Sequence, residues 1–277
     1  MFIFIFQLSC VSPLRLLEKS TIITFTDFGN KPFAIREHSW RLFASNNFND
    51  KNSIEYVNGF TKILSSLLPN IKPSTNTDAK TFSNIKKGNK KIGKLPLSRL
   101  AKVLEESLIE REWFVTGLAD PQFFSEDFQF EDPDVKVSGL EEYCKGVQKI
   151  FNQKISRAEV ICVAVNETLV NKNNTKMISV LWRLSGGVNL AFGLTIKPFL
   201  VRTDFIVSPI SGLIISQKDS FSIPGYDILL SALLPAALWR IPFLVPPAAP
   251  AETLRQQYKN KKSNDINFDN LFINKKR

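Results

Sequence analysis

The sequence predicts an α+β domain in which a cone-shaped, curved antiparallel sheet wraps around N-terminal helices. Apolar residues recur at helical spacing between 95 and 151. From Arg157 onward their period changes to two. Helices that precede a run of strands, instead of alternating with them, pack together on one face of an antiparallel sheet.

Leu97, Leu100, Ala101, Leu104 and Leu108 form one stripe, with Lys102, Glu105, Glu106 and Arg111 opposite. Pro96 suits the first turn of that helix, where a missing N–H costs nothing. The aromatic stretch Phe123–Phe130 then reads as a strand ending in Glu131-Asp132-Pro133. Ser138 and Glu141 form an S-x-x-E capping box for a second helix. Its buried stripe is Leu140, Tyr143, Cys144, Val147, Ile150 and Phe151. Glu141 and Glu142 sit near its positive end and Lys145 and Lys149 near its negative end. Strands are expected at Ala158–Asn166, Met177–Leu184, Leu200–Ser208 and Leu213–Ser220, with Ser185-Gly186-Gly187 as one of the turns.

The net charge of +10 is unevenly placed. Residues 1–92 hold 13 Lys/Arg against 6 Asp/Glu, and residues 250–277 hold 7 against 3. Between them stand 16 against 17, so the core is nearly neutral and no nucleic-acid partner is expected. Residues 1–92, rich in Asn, Ser, Thr and Lys, read as a transit peptide or a disordered basic leader. The domain proper covers 93–226. Residues 227–250 form an apolar, Pro-rich arm, broken by Pro235 and too short to span a bilayer. A helix and arm packed over the sheet, a partner groove and shallow membrane contact all fit it. Residues 251–277 read as a disordered basic tail.

Nucleophile–base chemistry has little to work with. The single histidine, His38, lies in the leader, and the three cysteines (Cys10, Cys144, Cys162) show no ligand spacing. No metal or cofactor is expected. Asp132 precedes a proline, where an aspartate commonly bonds its own backbone. Asp204 lies in an apolar strand, which is less usual, and Asp219 reads as a solvated strand end.

Phe123-Phe124-Ser125-Glu126-Asp127-Phe128, Phe130-Glu131-Asp132-Pro133, Ser138-Gly139-Leu140 and the pair Thr203-Asp204-Phe205 to Asp219-Ser220-Phe221 resemble the nuclear-transport-factor-2-like superfamily, which includes ketosteroid isomerases and polyketide cyclase-like proteins. Val180–Gly186 and Asp227–Ala232 look most like an uncharacterised branch of photosynthetic lineages, a resemblance that together with the leader implies a plastid location, with the cytoplasm as the alternative. The resemblance covers about 95–234 and implies a conical pocket lined by Trp113, Phe128, Phe130, Trp182, Phe205 and Phe221. It implies Asp132 as a general base and Asp204 as a protonated acid, two carboxyls driven apart in pKa by their surroundings. The tyrosine that should stand on the first helix is missing from Glu106–Glu110, and losing one oxyanion donor costs about 10²–10³ in rate. The first expectation is therefore a non-catalytic module that binds a small apolar ligand. An isomerase, dehydratase or cyclase is the second. A protein- or membrane-interaction domain acting through the sheet face and residues 227–250 is the third, and a homodimer stays open.

Overall fold

The computed structural model describes residues 54–56, 91–166, 176–189, 193–259, 268 and 272. Most of the expected leader and most of the chain beyond 259 lie outside them, but residues 54–56, within the stretch read as leader, form a strand paired with residues 135–137. Within these residues the elements are β1 (Ile54–Tyr56), α1 (Leu97–Arg111), α2 (Trp113–Thr116), β2 (Phe124–Glu131), β3 (Val135–Ser138), α3 (Leu140–Ile150), β4 (Arg157–Asn166), β5 (Lys176–Val188), β6 (Leu194–Val207), β7 (Ile214–Phe221), α4 (Gly225–Leu233) and α5 (Ala251–Tyr258). The strands form one curled, open sheet in the order β1-β3-β2-β7-β6-β5-β4. The α+β class agrees with the sequence reading. The sheet is mixed, however, because β2 runs parallel to β7.

α1 buries the leucine stripe the spacing predicts, and Arg111 in its last turn suits the helix dipole. Glu112 then takes a left-handed conformation (φ 44°, ψ 41°), which ends α1 and redirects the chain. Its carboxylate accepts the Ala158 N–H at 3.3 Å, so the same residue that makes the corner ties it to β4. The turn drives Trp113, Phe114 and Val115 into the core, where all three are buried.

The capping box at Ser138 does not form. Ser138 pairs with Gln129 in the sheet, and α3 starts from Gly139 (φ 93°) without a side-chain cap. Sheet pairing takes the residue that local capping would use, and the Gly139 N–H bonds Phe128 O at 2.8 Å instead. Gly186-Gly187 is likewise not a turn, because β5 continues to Val188. A Cβ on Gly186 would lie 2.3 Å from Ser156 Cα, so glycine there lets the Ile155–Ser156 backbone lie against the strand. Ser156 Oγ fastens that approach by donating to Gly187 O at 2.8 Å.

Residues read as a disordered tail contribute a helix. α5 packs Ala251 and Leu254 with Phe268 against Ile161, Ala164 and Leu181, on the face of the sheet opposite the main core. Arg255 Nε donates to Val160 O at 2.9 Å, so the edge strand β4 has a carbonyl occupied from outside the sheet.

The start of the arm is held by a buried ion pair. Lys197 and Asp227 face each other with neither side chain exposed. Lys197 Nζ also donates to Val245 O at 2.6 Å, and Val245 N–H donates to Asp227 Oδ2 at 2.7 Å. Taking two charges out of water is tolerated because each also bonds the arm's backbone. Asp227→Ala should therefore destabilise the domain by about 3–5 kcal/mol in urea unfolding, whereas the double change Lys197→Met/Asp227→Leu should recover much of the loss.

Candidate functional site

The concave face of the sheet is mostly apolar. Trp113 stacks on Phe114 (5.7 Å between centroids) and Phe205 (6.1 Å), and Phe114 stacks on Trp182 (4.6 Å). Phe128 meets Phe124 and Tyr143 edge-on, and Phe130 tilts against Tyr143 at 4.9 Å. Five of the six expected pocket aromatics are thus buried in one core with Phe114, Phe124 and Tyr143, forming the floor of the concave side. Phe221, half-buried, packs edge-on against Phe199.

A row of polar side chains crosses this wall. Trp182 Nε1 donates to Thr203 Oγ1 at 3.0 Å, and Thr203 Oγ1 donates to Asp219 Oδ1 at 2.6 Å. Gln217 Nε2 reaches both Asp219 Oδ1 and the Tyr143 hydroxyl at 3.3 Å. Gln217 Oε1 is buried with no hydrogen-bond partner. Most buried polar atoms are paired, so an unpaired amide oxygen beside a carboxyl marks a place where a further polar group would be favourable.

Asp132 stands next to this row. β2 and β7 pair Phe130 with Gln217 and Glu131 with Lys218, so the next positions along the two strands are Asp132 and Asp219. Glu131 and Lys218 point the other way and meet at 3.5 Å, which leaves the two aspartates for the concave side. Asp132 Oδ1 accepts the N–H groups of Asp134 (2.8 Å) and Val135 (2.6 Å), the turn-forming role its position before proline suggests. Burial nevertheless pushes its carboxyl up to about 6, against the pull of those two bonds. Burial raises Asp219 to about 7, opposed by its Thr203 bond and assisted by the negative charge of Asp132. Burial and the nearby Asp219 charge hold the Tyr143 hydroxyl well above the usual tyrosine range.

Asp204 is elsewhere. Its carboxylate accepts Ser179 Oγ at 2.6 Å and Arg202 Nε at 2.9 Å, on the face of β6 away from Thr203 and Phe205. Asp219, expected as a solvated strand end, is instead buried on the concave side. The signal was present in the sequence: in a strand Asp204 and Phe205 cannot share a face, whereas Thr203 and Phe205 must. The tyrosine that joins this row is Tyr143 of α3, a residue already assigned to that helix's buried stripe.

No protein-family model and no curated protein sequence matches the chain. Solved structures similar to it carry the superfamily names that the sequence resemblance suggests. A nuclear-transport-factor-2-like protein of unknown function from Cytophaga hutchinsonii is 15% identical, covering 46% of this chain and 91% of its own, at a TM-score of 0.30. A protein described as a SnoaL-like polyketide cyclase from a Jannaschia species is 13% identical, covering 52% and 99%, at 0.33. A nuclear-transport-factor-2-like protein from Anabaena variabilis is 18% identical, covering 47% and 96%, at 0.28. Each of these overlaps falls below a TM-score of 0.5.

The raised carboxyls make a stability prediction whose sign is fixed. A carboxyl with a folded-state pKa above its unfolded value favours the folded protein most below the unfolded pKa, and that contribution is lost as pH rises through the folded pKa. Between about pH 4 and 7, Asp219 should therefore cost the fold progressively more, on the order of a few kcal/mol in total. Asp219→Asn should flatten that part of the pH–stability curve measured by chemical denaturation.

Proposed function

We propose that the concave side of the domain binds a small, mostly apolar molecule by a single polar group. The Tyr143–Gln217–Asp219 corner receives that group, and Asp132 stands beside it. The unpaired Gln217 Oε1 next to the buried Asp219 carries this reading, because an isolated polar corner in an apolar wall gives orientation to an apolar ligand. A protonated Asp219 can donate to a carbonyl or hydroxyl, and Thr203 and Gln217 hold it in place. Native mass spectrometry of the full chain exposed to a metabolite extract should show a retained small molecule. Asp219→Asn should lose it and Asp204→Asn should keep it. Retention by both variants would place the ligand elsewhere.

The two perturbed carboxyls favour a second reading, acid–base catalysis of the isomerase, dehydratase or cyclase type. Asp132, near 6, is a base at neutral pH, while Asp219, near 7, still holds its proton in much of the population. In this reading Asp132 removes a proton next to a carbonyl, and Asp219 donates a hydrogen bond to the oxygen as negative charge develops there. Deuterium incorporation into a panel of enolisable ketones tests it. Asp132→Asn should slow exchange about 10²–10⁴-fold, and wild-type exchange should rise with pH through the Asp132 titration.

A further inference from the structure

We infer that the segment between Asp227 and Glu252 docks on an anionic bilayer surface. Its 24 residues, 228–251, contain no carboxylate and a single cation, Arg240. α4 turns Ile228 and Ala232 toward the core, yet much of the remaining apolar surface faces outward. Leu233 is 60% exposed, Phe243 65%, Leu238 42% and Val245 39%.

Several polar groups of the segment are bonded within it or to the domain. Trp239 Nε1 donates to Ser231 O at 2.7 Å, Ala248 N–H donates to Pro198 O at 2.8 Å, and both backbone groups of Val245 bond the buried Lys197–Asp227 pair. The segment therefore presents apolar side chains and one guanidinium from a backbone that is already ordered, so docking costs little conformational entropy.

No helix among the described residues is long and apolar enough to cross a membrane, and α4 has only nine residues. The contact is therefore one that lies in the interface, with apolar side chains below the headgroups and Arg240 among them. Charge complementarity selects lipid over a second copy of the chain. In a two-fold dimer through this patch, neither copy's segment would bring a carboxylate to offset Arg240. Anionic headgroups supply that offset.

Flotation of the full chain tests this, using neutral phosphatidylcholine vesicles and vesicles with about 30 mol% phosphatidylglycerol. The protein should float with the anionic vesicles. Leu238→Glu/Phe243→Glu, at exposed positions, should reduce the bound fraction more than about tenfold. Arg240→Gln should weaken binding to the anionic vesicles about fivefold and leave binding to neutral ones unchanged. Thermal melting of each variant checks that the fold is intact. Absence of wild-type flotation would overturn the proposal. So would flotation unaffected by the double change and abolished by about 0.5 M salt, which would assign binding to the basic ends of the chain. A concentration-dependent dimer that the double variant loses, without any flotation, would assign the patch to a second copy and overturn it equally.

Discussion

The domain depends on the short helix α2. Trp113 is fully buried and touches Phe114, Phe124 and Phe205, while Phe114 bridges to Trp182 on β5. Four residues thus join α1, the aromatic strand β2 and the long β5–β6 hairpin. Ring contacts of this kind add to the area they bury and are directional, so they fix how the sheet sits on the helices. The left-handed Glu112 is what makes them reachable: a continuous α1 would carry Trp113 and Phe114 around its own axis and away from the sheet.

That filled aromatic floor has a consequence for chemistry. The space such a sheet can enclose is largely taken by its own side chains, which leaves the polar row Trp182–Thr203–Asp219–Gln217–Tyr143 as the distinctive part of the concave wall. A hydrogen-bonded row in an apolar wall is costly unless its members satisfy one another, and here one amide oxygen is left over. Asp132 adds a second carboxyl to the same corner. Because burial raises both carboxyls and the charge of Asp132 raises Asp219 further, the corner holds protons at pH values where isolated aspartates would have lost them.

The C-terminal part of the chain meets the sheet in two ways. α4 and the arm are pinned through Lys197 and Asp227, where the ion pair and the Val245 backbone close on one another. α5 and Phe268 cover the opposite face near β4. Both additions lie on surfaces that a minimal curved sheet would leave to solvent. The first leaves apolar side chains outward, and the second turns them in.

Periodicity alone determined the class of fold, the stripes of α1 and α3 and the approximate positions of four strands, because these follow from which residues must leave water. It also contained the rule that separates Asp204 from Phe205, since alternation along a strand is local geometry. Other features depended on partners distant in the chain. Ser138 became a strand residue because Gln129 lies opposite it. Gly186 became the seat of Ser156 because a loop 30 residues earlier crosses there. Asp219 and Tyr143 are 76 residues apart in sequence, and only the parallel pairing of β2 with β7 and the packing of α3 bring them to one corner with Asp132. Burial and nearby charge, which set the proton affinity of those groups, are properties of that packed arrangement, and no spacing within a single strand or helix encodes them.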